Sequence, residues 1–172
     1  MDDREKIVID SDEESFEEQG KAKRTLRALL FRLGNERYAI NISQAKEVFK
    51  LATLTRVPNA PVFIRGITNL HGEIIPVMDI RHFLGLPEKE GLGGTKAIAT
   101  DIKANIMAVL VDGIDEALDL AEADIQPPLA TIKGVPASFT IGQVELKGEI
   151  IVLLDLEKIL NCGEIENIKK GV

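Results

Sequence analysis

Residues 72–80, Gly-Glu-Ile-Ile-Pro-Val-Met-Asp-Ile, return at 148–156 as Gly-Glu-Ile-Ile-Val-Leu-Leu-Asp-Leu, an offset of 76 residues. The glycine, the glutamate, both isoleucines and the aspartate are identical, and every other position is apolar in both copies. Gly66 with Gly142 and Leu70 with Leu146 keep the same offset. Further out, Tyr38-Ala39-Ile40-Asn41-Ile42-Ser43 aligns with Met107-Ala108-Val109-Leu110-Val111-Asp112 at an offset of 69, and Val57-Pro58 echoes Val135-Pro136 at 78. A drifting offset marks two copies of one unit separated by loop insertions, not a solenoid of fixed period.

The first copy shows what that unit is. Leu26, Ala28 and Leu30 alternate up to Phe31 and Leu33, Gly34-Asn35 punctuates, and Tyr38, Ile40 and Ile42 line one face of a return strand, which predicts a β-hairpin. Gln44–Leu51 fits neither the strand nor the helix period well and is left open between them. Val57-Pro58-Asn59-Ala60-Pro61 is a rigid turn, with Pro61 opening a short helix that Gly66 ends. Ile67–Leu70 and Glu73–Met78 read as two strands around His71-Gly72, with Pro76 at an edge or bulge because proline donates no ladder hydrogen bond. Asp79 caps a short helix over Ile80–Leu84 that Gly85 stops, and the glycine-rich stretch 85–94 connects the lobes. About five short strands per copy, too closely spaced for crossover helices, are best closed as small barrels, which removes exposed sheet edges. The predicted fold is mostly all-β: two packed, five-stranded SH3-like β-barrel subdomains with short helices.

Composition narrows the function. The chain has 172 residues, 45% hydrophobic and 28% charged, enough to bury a core without a staple. Its single cysteine, Cys162, forms no intrachain disulfide, and no secretion signal or long apolar span is evident, so a cytoplasmic protein without membrane insertion is expected. Residues 1–20 hold nine acidic and two basic side chains, whereas the rest of the chain balances to zero. Residues 1–22 therefore read as an acidic disordered arm, with Ile7-Val8-Ile9 its one apolar triplet. A charge-balanced body with six Phe, one Tyr and no Trp lacks the basic stripe and stacking platforms of a nucleic-acid binder.

Chemistry-bearing motifs are scarce. His71, His82 and Asp79 match no compact metal motif, the serines lack a nucleophile-elbow setting, and Gly91–Lys96 fails the phosphate-loop pattern. No metal or cofactor is expected. The acids Asp112, Asp115, Glu116 and Asp119 read as a turn and a solvated edge, with a carboxylate-dependent hydrolase as the remote alternative. Lys46, Glu47, Arg65, Asn69 and His71 lie instead at strand ends or turns beside Val48, Phe49, Val62 and Phe63, a mixed surface suited to a protein partner or to a salt-bridged exterior.

From about Thr25 to Leu160 the chain resembles the CheW-like domain, the adaptor module joining bacterial chemotaxis receptors to their histidine kinase. The likeness is carried by Phe31-Arg32-Leu33-Gly34 with Tyr38-Ala39-Ile40, by Val57–Pro61 with Ile64-Arg65-Gly66, and by Asn69-Leu70-His71-Gly72 through Arg81. Val111-Asp112-Gly113 and Leu153–Lys158 carry it in the second half. The resemblance implies a domain over 23–160 made of two intertwined barrels, about 23–85 and 95–160, followed by a tail over 161–172. It implies a non-enzymatic scaffold, monomeric in isolation, that binds the regulatory domain of the kinase and the cytoplasmic tip of the chemoreceptors in membrane-associated arrays. The same fold in a different chemosensory pathway, such as surface motility or second-messenger control, is the alternative. Carried over by position, the partner-binding residues are Glu47, Ala45 and His71, with Arg65 and Asn69 secondary. His71 departs from the family's usual Asn-Leu-Arg-Gly turn, placing a switchable imidazole where a permanent cation is common, and it is expected either to make a shorter hydrogen bond to Glu47 or to face the partner directly.

Overall fold

The computed structural model describes residues 24–92, 95–128, 131–132 and 135–161. The acidic arm, Cys162 and the tail from 162 lie outside the described residues. In chain order the elements are β1 (Thr25–Leu33), β2 (Glu36–Asn41), β3 (Ala45–Lys50), β4 (Ile64–Leu70), β5 (Glu73–Met78), α1 (Arg81–Leu84), β6 (Lys96–Ile102) and β7 (Asn105–Val111). They continue as β8 (Gly113–Ala121), β9 (Thr131–Ile132), β10 (Val135–Pro136), β11 (Thr140–Leu146), β12 (Glu149–Leu154) and α2 (Leu156–Leu160).

Ten of these strands form two five-stranded sheets, ordered β11-β12-β2-β1-β8 and β4-β5-β7-β6-β3. The duplication read from the sequence is visible pair by pair. Val77 pairs with Ala108 across the parallel β5–β7 junction, and Leu153 pairs with Ala39 across the parallel β12–β2 junction. A register shift falls between Ile64 and Gly66 and again between Thr140 and Gly142. Asp79 N donates to Phe63 O at 2.8 Å and Asp155 N to Phe139 O at 2.9 Å, closing each hairpin the same way.

The sheets do not follow the expected halves at 23–85 and 95–160. The first takes β1 and β2 from one end of the chain and β8, β11 and β12 from the other, while the second is β3–β7. The connection over 85–95 therefore joins strands of one sheet, and the chain passes between sheets at the short turn Ile42–Gln44 and at Asp112. Parallel neighbours cannot be joined by a tight turn, so β12 meets β2 from far along the chain.

Alternation along the strands builds three cores. Ala28, Leu30, Ala39, Leu120, Val144, Ile151 and Leu153 fill the first sheet's interior, drawing on both of its edge strands, so the sheet is curled. Leu51, Ile75, Val77, Ala97, Ala108 and Leu110 do the same in the second. The opposite faces, including Phe31, Tyr38, Ile40, Met78, Val109, Val152 and Leu154, join into one core between the sheets. Alanines crowd the interiors because a narrow barrel admits little volume.

Two local expectations need correction. No helix follows Pro61: Ala60 N bonds Val57 O at 3.3 Å and Ile64 N bonds Pro61 O at 3.0 Å, two successive turns, and the strand begins at Ile64. Pro76 lies in an interior strand, one residue before the β7 pairing starts at Val77, so no ladder on that side is interrupted. Within β5, Ile75, Val77 and Met78 are buried and Ile74 is 59% exposed. Gln44–Leu51 resolves as a 3-10 turn followed by β3, whose bulge between Ala45 and Glu47 breaks the alternation.

Candidate functional site

β3 and β4 are the two edges of the second sheet, and curling brings one end of β3 to the β4–β5 turn. That turn is tight: His71 and Gly72 have φ of 54° and 88°, and the Asn69 side-chain oxygen accepts from Gly72 N at 3.0 Å. Imidazole is among the side chains that tolerate this left-handed region. The turn aims His71 Nε2 at Glu47, 2.9 Å from Oε2 and 3.0 Å from Oε1. The neutral Nε2–H tautomer donates to the carboxylate, and protonation of the ring adds a charge to the same contact. His71 is 74% exposed and Glu47 34%, so the pair faces solvent across the seam of the barrel.

Only these two of the five expected partner residues meet. Ala45, at the bulge, is half-buried against the core between the sheets. Asn69 is spent on its own turn. Arg65 is 13% exposed and turns inward, donating to Asp79 Oδ2 at 3.1 Å and to Lys89 O at 3.2 Å.

Arg65 leads into a network that residue spacing does not reveal. Asp79 Oδ1 accepts from both the backbone N (3.1 Å) and Nη1 (3.0 Å) of buried Arg81, the first residue of α1, while the N-cap position itself is Ile80 and not Asp79 as expected. Arg81 Nη2 reaches Asp112 Oδ2 at 2.7 Å, Lys89 Nζ reaches Asp112 Oδ1 at 2.7 Å, and Gly34 N donates to Asp112 from the β1–β2 turn. The network ties both sheets and the connecting loop to the one residue between β7 and β8. Burial pushes the Asp112 carboxyl up, but the Gly34 N–H, Lys89 and Arg81 outweigh it and hold it down at about 2. Of the neighbouring acids, Asp115 is engaged by Arg32 and Arg37 (both 2.9 Å) and Asp119 by Arg27 (3.1 Å), while Glu116 is exposed. Among the described residues no group of three or more His, Cys, Asp or Glu side chains is placed to hold a metal, and no helix is long and apolar enough to cross a membrane.

The model of the CheW-like domain matches residues 27–164, which takes in both sheets and both copies of the hairpin. The chain belongs to the CheW-like domain family. The chemotaxis protein CheW of Klebsiella aerogenes is 30% identical over 146 residues, covering 83% of this chain and 88% of that protein. FrzA of Myxococcus xanthus is 31% identical over 136 residues, covering 77% and 84%. Among solved structures, the scaffolding protein TtCheW from Thermoanaerobacter tengcongensis superposes with a TM-score of 0.72 at 26% identity, covering 81% of this chain and 90% of that one.

Proposed function

We propose that this CheW-like chain is a non-enzymatic adaptor that couples chemoreceptors to the chemotaxis histidine kinase, working in the cytoplasm at membrane-associated receptor arrays. The observation that carries the reading is the family match across nearly the whole described body, to relatives named as chemotaxis proteins and to a structure described as a scaffold. The geometry agrees with it. Asp112, Asp115 and Asp119, three of the four acids a hydrolase would draw on, are held by arginines and Lys89, while the Glu47–His71 pair faces solvent. Exposed Val48 and Ile74 stand beside that pair in sequence and offer apolar area next to a polar register point.

In this reading Glu47 and His71 contact the kinase regulatory domain, and Ala45, Arg65 and Asn69 act by shaping the bulge, the turn and the strand behind them. Calorimetric titration of the purified chain with that domain is expected to show saturable 1:1 binding by a monomeric adaptor. Glu47→Lys, which sets two cations against each other whenever His71 is protonated, should weaken binding without unfolding the protein. A folded sample that does not bind at tens of micromolar would refute the pairing with that kinase. The likeness to FrzA favours a second reading, the same adaptor role with the kinase and receptors of a different chemosensory pathway. Titration against that pathway's kinase domain separates the two.

A further inference from the structure

The two sheets have four edge strands, and they differ in how each is covered. β4 is bridged by Thr55, which pairs with Ile67, and β11 by Gln126, which pairs with Gln143. β8 carries Asp115, Glu116 and Asp119. Among the described residues β3 alone combines positive charge with an edge that has no second ladder partner and meets the β4–β5 turn only at Glu47: Lys46, Val48 and Lys50 are exposed, and Lys50 stands opposite exposed Lys96 of β6. Like charges facing each other across a ladder are unfavourable. Among the described residues, none of these three lysines has a carboxylate within ion-pair distance.

The sequence before β1 has the complementary chemistry. Residues 1–20 carry a net charge of −7, and Glu5-Lys6-Ile7-Val8-Ile9-Asp10-Ser11-Asp12 sets a β-branched triplet among acids. Unpaired N–H and C=O groups on an edge strand are a ready template for an added strand, and edge lysines set its charge preference. Reach is no obstacle. The residues between Ile9 and Thr25 span about 50 Å when extended, and a body of this size is about 40 Å across.

We propose that the segment around Ile7–Asp12 docks along the open edge of β3, its carboxylates against Lys46, Lys50 and Lys96, and so shields the Glu47–His71 end of the same strand. The shielding part rests on the reading of that end as the kinase-binding face. The docking part does not. The segment then acts as a built-in competitor that a partner must displace.

Amide hydrogen exchange read by mass spectrometry tests the docking on the full chain, on a chain lacking residues 2–20, and on a full-length Lys46→Glu/Lys50→Glu/Lys96→Glu variant. The shortened chain is a fair control because every residue of the three cores lies beyond position 25. Exchange over Ala45–Lys50 should be about tenfold faster in the shortened chain and in the charge-reversed variant than in the full chain. Equal exchange in all three overturns the docking, and protection that fades on dilution overturns it in favour of the segment of a second copy. Titration of the kinase regulatory domain is the separate arm. The shortened chain should bind several-fold tighter, and equal affinity overturns the shielding. Segment-dependent protection with no binding by either form would leave the docking standing and remove the adaptor reading.

Discussion

Tyr38 is the chain's only tyrosine, fully buried between the sheets, and its hydroxyl has no hydrogen-bond partner among the described residues. An orphaned hydroxyl loses its hydration without compensation, so Tyr38→Phe should raise unfolding free energy by about 1 kcal/mol, measured by denaturant titration followed by circular dichroism. Burial pushes the phenol up to about 12, with Glu36 adding to the effect. A folded-state value above the unfolded one means the associated stability is complete below about pH 10 and is lost as pH rises towards 12. Phenolate absorbance should therefore appear together with unfolding in an alkaline titration, and its appearance near pH 10 in a folded sample would contradict the burial. His71 is the opposite case. Its contact with Glu47 is so exposed that His71→Ala should cost less than about 1 kcal/mol of stability while weakening kinase-domain binding clearly. A loss of stability with unchanged binding would make the pair a structural clasp. The contact was legible because both residues fall on recognisable positions. The inward turn of Arg65 was not, since its partner Lys89 O lies 24 residues away on a connecting loop.

At the scale of elements, the repeated hairpin explains why two glycines recur. A Cβ at Gly66 would run into Thr55 O, and one at Gly142 into Gln126 O, because at each place a short segment bridges the outer edge of the hairpin. Backbone oxygen cannot swing aside as a side chain can, so Gly66→Ala and Gly142→Ala should each destabilise by about 2 kcal/mol or more in equilibrium unfolding. Gly148, with φ of 81° and nothing near the added Cβ, should cost only about 1 kcal/mol on the same change. If all three cost the same, the bridges are not what demands the glycines. Strand positions were legible from alternation and turn residues. The misreadings fall where geometry departs from regular period: the bulge at Ala45–Glu47 hid β3, and Pro61 in a pair of turns imitated a helix start.

For the whole molecule, the core between the sheets takes residues from both, including Phe31 and Tyr38 from one and Met78 and Val109 from the other. Neither half can satisfy its strands alone, because β1 and β2 complete the sheet of β8, β11 and β12. The chain should unfold in one transition, with far-ultraviolet circular dichroism and Tyr38 fluorescence coinciding, and a fragment ending at Leu92 should not fold. Asp112 adds a pH dependence. Its folded-state value lies below the ordinary carboxylate value, so the stability it contributes, about 2 kcal/mol, is present above pH 3.8 and is lost as pH falls towards 2. Asp112→Asn should remove much of that acid sensitivity and lower stability near neutrality, whereas an unchanged acid transition would mean that other carboxylates govern it.

The sequence alone determined the strand content, the duplication and the family, because apolar alternation, turn chemistry and a repeated nine-residue stretch are local signals that survive in one dimension. It also placed Glu47 and His71 as a candidate pair. Which strands share a sheet was decided only in three dimensions. The parallel joins β2–β12 and β5–β7 are long-range choices made by burying both strand faces at once, so sequence halves and sheets part company. The network around Asp112 was decided in the same way. A carboxylate that reads as a turn residue becomes a half-buried anchor once folding carries Arg81, Lys89 and the Gly34 amide around it and they outweigh its loss of hydration.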